Sequence, residues 1–77
     1  MSWTKKNDRL VNEFSFENFK QALAFVNKTG DLAEMEQHHP DIYIHDYNKV
    51  RIELSTHDEG NMVTEKDRDL ASKIDKL

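Results

Sequence analysis

Apolar residues recur at every second position in two stretches of the chain and at three- and four-residue steps in two others. The order of those stretches predicts a fold. From Trp3 to Phe14 a short extended signal is broken by the polar run Lys5–Asp8, which reads as a turn between two brief strands with Leu10 and Phe14 on one side. Ser15 then offers a helix N-cap, with Phe14 before it and Phe19 four places into the helix as a hydrophobic staple. Phe16, Phe19, Leu23 and Val26 follow at helical steps, and Ala22, Gly30 and Ala33 continue a narrower stripe toward Gln37. The pattern predicts one amphipathic helix of roughly 20 residues. Gly30 lies inside it, where the missing side chain would let the sheet approach closely. Pro40 disfavours helical geometry at His39, so the helix should stop at the pair His38–His39.

Two alternating runs come next. Ile42 and Ile44 share one face of the first, Val50, Ile52 and Leu54 one face of the second, and the polar stretch Asp46–Lys49 reads as the turn of a second hairpin. Thr64 and Asp67 have the spacing of a capping box with a shortened acid, and Leu70, Ala71, Ile74 and Leu77 line one face of a terminal helix. The predicted order is β-β-α-β-β-α. Each element has only one apolar side, which implies an α+β domain over residues 1–77 with a four-stranded antiparallel sheet and both helices on one face.

Composition narrows the function. With 77 residues, 36% of them hydrophobic and 34% charged, the chain is small for a monomeric core, and a homodimer or homotetramer is expected. The absence of cysteine excludes disulfides, thiolate zinc sites and thiol nucleophiles. Neither a signal peptide nor an apolar run of roughly 20 residues is present, so the expected location is cytoplasmic, with no membrane partner. A net charge of −4 without a basic stripe argues against nucleic acid, and two glycines leave no phosphate-cradling loop.

Three of the four histidines lie between His38 and His45, beside the single proline. Imidazole is the side chain suited to giving and taking protons near neutral pH. Glu34, then His38–His39–Pro40, Tyr47, His57 within "STHDEG" and Asp67 within "TEKD" together resemble the signature of the pterin-4a-carbinolamine dehydratases. The resemblance spans Trp3 to the terminal helix. It implies loss of water from a 4a-hydroxytetrahydropterin, needing no cofactor. By match to the motif, His38 and His57 would form the acid and base pair and His39 would contact the pterin and assist. Glu34 would orient His38, while Pro40, Thr56, Asp58 and Glu59 would help to hold the substrate. Two departures stand out: the chain begins near the first strand, where many relatives carry an additional helix, and the stretch between His57 and Asp67 is one residue longer than the common type.

Other readings compete. Glu34 and His38 have the i, i+4 spacing of zinc-binding helices and His57 could complete a three-ligand set, but adjacent histidines before a proline rarely aim both rings at one ion. Relatives also act as dimerisation cofactors or assembly factors, so a non-catalytic role is the alternative. His45 falls outside the signature and should face solvent, Asp67 reads as a structural cap, and Tyr47 equally as a residue packed at the sheet edge or one that touches ligand. Met35 and the phenylalanines read as core or interface, and Trp3 as a cover for the core or a subunit contact.

Overall fold

The fold was analysed in a computed structural model, which describes residues 3–56, 60 and 62–77. Its elements are β1 (Thr4–Lys6), β2 (Arg9–Ser15), α1 (Phe19–Glu36), β3 (Asp41–His45), β4 (Lys49–Leu54) and α2 (Glu65–Ile74). The strands form one antiparallel sheet in the order β1-β2-β4-β3. This is the predicted α+β order. Asn7 and Asp8 make the first turn, at φ 52° and 62°, in the left-handed region that short Asx side chains tolerate and that suits two-residue hairpin loops. The turn is therefore tighter than the predicted four-residue run, and Lys5 and Lys6 stay in β1, Lys6 opposite Arg9.

Register stacks the apolar faces. Leu10 pairs with Leu54, Phe14 with Val50, Ile42 with Ile52 and Ile44 with Val50. Val50, Ile52 and Leu54 are fully buried, and with Leu10 they meet Ala22 of α1 and Leu70, Ala71 and Ile74 of α2 in one core. Burying a side chain of this size contributes roughly 1.5–3 kcal/mol. Trp3 covers one end, edge-on to Phe14, with its indole N–H donated to Asp75 at 3.0 Å.

Helix α1 departs from expectation at its start. Ser15 remains in β2, paired with Lys49, and the N-cap is Asn18, whose Oδ1 accepts from the Gln21 N–H at 2.9 Å. Phe16 is held in the connection instead, by two hydrogen bonds to Asn48 of 2.9 and 2.7 Å. The face that the helix buries also differs from expectation. Its buried line is Ala22, Thr29 and Ala33, while Phe19, Leu23 and Met35 are exposed. Small residues face the sheet because the sheet supplies the bulk. At its other end the helix stops at Glu36, just before the expected histidine pair, as Gln37 turns left-handed at φ 52°.

Two further expectations are corrected. A Cβ placed on Gly30 would meet nothing within 4 Å, so no sheet approaches there. Leu77 is exposed, because α2 ends at Ile74. Among the described residues no helix is long and apolar enough to cross a membrane. Glycine inside a helix with open space around it costs backbone entropy without a steric benefit. Gly30→Ala should stabilise the protein by about 0.5–1 kcal/mol and raise Tm by roughly 2–8 °C, measured by thermal unfolding; an unchanged or lowered Tm would contradict the open surroundings of Gly30.

Candidate active site

The site lies where α1 ends, β3 begins and β4 ends. Pairing of Asp41 with Glu53 brings the segment just before β3 beside the segment just after β4. His38, His39, Pro40, Asp41, Thr56, Gln37 and Lys66 thereby line one open cavity of about 380 Å³. Local geometry explains the aim of the histidines. Gln37 in the left-handed region lets the His38 N–H return to the Ala33 carbonyl at 3.1 Å, closing the helix and turning the chain out of its axis before Pro40.

Because the chain leaves the helix at Gln37, the i, i+4 relation of Glu34 and His38 no longer applies. Glu34 pairs with His39 instead, Oε2 to Nε2 at 2.6 Å, in an exposed couple. His38 pairs with Asp67, Nε2 to Oδ1 at 2.5 Å; its ring is mostly buried and the carboxylate wholly so. Asp67 was expected to be a cap, and it is one, since its Oδ2 accepts the Thr64 N–H at 2.9 Å. It also accepts from Thr56 Oγ1 at 2.9 Å. With its single proton committed there, Thr56 must accept from Thr64 Oγ1, 2.7 Å away.

Asp67 thus only accepts, and the donors around it fix the protons. In the neutral ring the hydrogen then belongs on Nε2, and Nδ1 is the nitrogen without a partner among the described residues. Since no buried side-chain nitrogen or oxygen lacks a partner among the described residues, that Nδ1 is open to solvent. Asp41, although it lines the cavity, is engaged by Arg9 at 2.7 Å, and this hydrogen bond raises the already high pKa of the guanidinium.

The remaining predicted residues distribute as follows. Thr56 is buried in the cavity wall and Pro40 beside it. Glu34 reaches the cavity only through His39. His57, Asp58 and Glu59 lie outside the described residues. Tyr47 and His45 are at the opposite end of β3, Tyr47 exposed in the turn and His45 held by Glu13 and by Asp46. Glu34 and His38, two of the three weighed metal ligands, engage different partners, and no group of three or more His, Cys, Asp or Glu that could hold a metal ion occurs among the described residues.

Asp67 as the partner of His38, and Lys66 and Gln37 as lining residues, were not foreseen. For Asp67 a signal existed: it stands in line with Leu70, Ala71 and Ile74, on the buried stripe of α2. A larger hollow of about 460 Å³ lies between β2 and the two helices, but it is walled by Phe14, Phe16, Phe25, Ile74 and Leu77 and holds no histidine.

The α+β fold thus carries two histidine–carboxylate couples at one end of its antiparallel sheet. The chain belongs to the Pterin 4 alpha carbinolamine dehydratase family, whose model matches residues 1–77. It is 47% identical over 75 residues to a protein of Thermomicrobium roseum named provisionally as a pterin-4-alpha-carbinolamine dehydratase, covering 97% of this chain and 78% of that one. A counterpart from Picosynechococcus sp., also provisionally named, is 48% identical over 75 residues, covering 97% of this chain and 79% of that one. Among solved structures, a transcriptional coactivator/pterin dehydratase from Brucella melitensis superposes with a TM-score of 0.87 at 34% identity, covering 96% of this chain and 79% of that one. A pterin dehydratase-like protein identified as a RuBisCO assembly factor in the alpha-carboxysome superposes with a TM-score of 0.81 at 25% identity, covering 99% of this chain and 88% of that one.

The proton assignment is testable. In Asp67→Asn, the amide oxygen would keep the donors from Thr64 and Thr56, leaving the NH2 facing His38 Nε2. The ring must then accept there and carry its proton on Nδ1. Nitrogen-15 NMR of neutral His38 should show the Nε2–H tautomer in the parent and the Nδ1–H tautomer in Asp67→Asn; the same tautomer in both would refute the assignment.

Proposed function

We propose that this protein is a hydro-lyase that removes water from a 4a-hydroxytetrahydropterin to give the quinonoid dihydropterin, in tetrahydropterin recycling. The observation that carries this reading is the His38–Asp67 couple, with Nε2 tied to a buried carboxylate and Nδ1 open beside His39. In the reaction the C4a–O bond breaks, the hydroxyl departs with an added proton as water, and N5 loses its proton as the C4a=N5 bond forms. Neutral His38 accepts the N5 proton at Nδ1 while Asp67 holds the ring. Its partner as proton donor to the leaving hydroxyl is His57, carried over from the family resemblance, and His39, steadied by Glu34, contacts the pterin. The net change is loss of water without electron transfer, and it calls for no cofactor.

A non-catalytic assembly or dimerisation role is the second reading, favoured by the likeness to the RuBisCO assembly factor. That likeness is the weaker in sequence, and the two histidine–carboxylate couples support catalysis. A positioned proton acceptor typically contributes about 10²- to 10⁴-fold in rate. His38→Ala should therefore lower dehydration of a chemically generated 4a-hydroxypterin by about 10²-fold or more while keeping the parent's circular dichroism, and His45→Ala should leave the rate within about twofold. Chelator should have no effect on the parent. Full activity of His38→Ala, or its loss from the parent on chelation, would displace the acid and base mechanism.

Self-association belongs to the same proposal, since β1 and β3 are edges with unpaired backbone groups. Light scattering at micromolar concentration should give the mass of a dimer or tetramer; a monomer's mass would contradict it.

A further inference from the structure

The hydrogen bonds that reach Asp67 from Thr56 and Thr64 all point one way. At the head, the Lys66 backbone N–H in the first turn of α2 donates to Thr64 Oγ1 at 3.3 Å. The Thr64 hydroxyl then donates to Thr56 Oγ1 at 2.7 Å and the Thr56 hydroxyl to Asp67 Oδ2 at 2.9 Å, because the carboxylate can only accept. The other carboxylate oxygen, Oδ1, faces His38 Nε2. We propose that this line of hydroxyls sets how strongly Asp67 draws on the His38 proton, and so how readily the ring takes another. Thr56 and Thr64 are then positioning residues for His38. The inference deepens the dehydratase reading, and the rate part of its test rests on that reading.

Polarisation carries the first step. Hydrogen bonds joined head to tail strengthen one another, and donors at one oxygen of a carboxylate draw negative charge away from the other. At Oδ2 the donors are the Thr56 hydroxyl and the Thr64 N–H, both at 2.9 Å, and the positive end of α2 acts from the same side. Oδ1 is the weaker acceptor for it. Less charge is then available to favour the imidazolium, and the uncharged ring is the form that can receive a proton. The other charged groups around the ring are Glu36, Lys66 and Asp69 of the helices, His39 with Glu34 after α1, and Asp41 with Arg9 at the sheet. None of their side chains bonds either hydroxyl, so removing a hydroxyl leaves those pairs in place.

The direction of the protons carries the second step. Thr56 lines the cavity, but it is buried and its one hydroxyl proton goes to Asp67, which leaves it no donor for a substrate. The family resemblance would have Thr56 help to hold the substrate; the geometry assigns its hydroxyl to the carboxylate. The Thr64 hydroxyl is not part of the cavity wall and reaches His38 only through Thr56 and Asp67.

The test exchanges each hydroxyl for a methyl of similar shape. Thr56→Val removes a donor from Oδ2 and strengthens Oδ1, so the proton resonance of His38 Nε2–H should move downfield. A firmer hold on the imidazolium leaves less uncharged ring at acid pH, so the acid limb of kcat/KM for a 4a-hydroxypterin should move to higher pH by about 0.5–1 unit, with KM within about twofold. Thr64→Val, which keeps the Thr64 N–H on Asp67, should give the same changes at about half the size. The double variant should do no more than Thr56→Val alone, since one hydroxyl acts through the other. Thr56→Ser and Thr64→Ser keep the line and should match the parent. Should circular dichroism show Thr56→Val unfolded, Thr64→Val tests the line from its other end. An unmoved resonance in the folded valine variants, additive effects of the two, or a raised KM with an unmoved limb would overturn the proposal. The resonance is read without substrate. If it moves in proteins that turn over no pterin, the hydroxyl line stands and the dehydratase reading falls.

Discussion

A fully buried carboxylate at Asp67 is the constraint around which the rest is arranged. Taking such a group out of water costs several kcal/mol unless donors replace the solvent. Here the donors come from three places: the Thr64 backbone at the start of α2, the Thr56 hydroxyl after β4, and the His38 ring after α1. Each of those segments is held at the carboxylate by the same requirement that keeps the carboxylate satisfied. One interaction set therefore caps a helix, joins the sheet to both helices and aims a histidine.

Much of the fold was legible because it depends on local patterns. Alternation at Ile42–Ile44 and Val50–Leu54 and the Thr64–Asp67 box each act within a few residues, and each appears in the structure. The errors at α1 came from competition that a local pattern does not display. Ser15 is as good a cap as Asn18, but the ladder with β4 claims Ser15 and Asn48 claims Phe16. The site was legible in its residue types and obscure in its pairings. Glu34 and His38 look like helical neighbours until Gln37 turns the chain, and Asp67 is 29 residues from the ring it holds.

The outer face of the sheet shows why both helices gather on one side. Arg9 bridges Asp41 and Glu53, Arg51 stands over Tyr43 at 4.9 Å to the ring centroid and pairs with Glu53, and His45 sits between Glu13 and Asp46. These are exposed pairs of small individual worth. Their effect is to keep that face wet. The solved structures that superpose on this chain include one named a coactivator/pterin dehydratase and one identified as an assembly factor, so a common scaffold serves more than one use, and the chemistry must be sought in the side chains it carries.

Helix α2 spans only 10 residues and is anchored in the core by Leu70, Ala71 and Ile74. Short terminal elements of this kind detach in sub-global openings that need less free energy than complete unfolding. When α2 lifts, Thr64 and Asp67 leave with it, and His38 loses the group that holds its tautomer. The geometry around His38 is thus only as persistent as the docking of one short helix. Its amide exchange would report the lifetime of the His38–Asp67 couple, where the melting temperature reports on the fold.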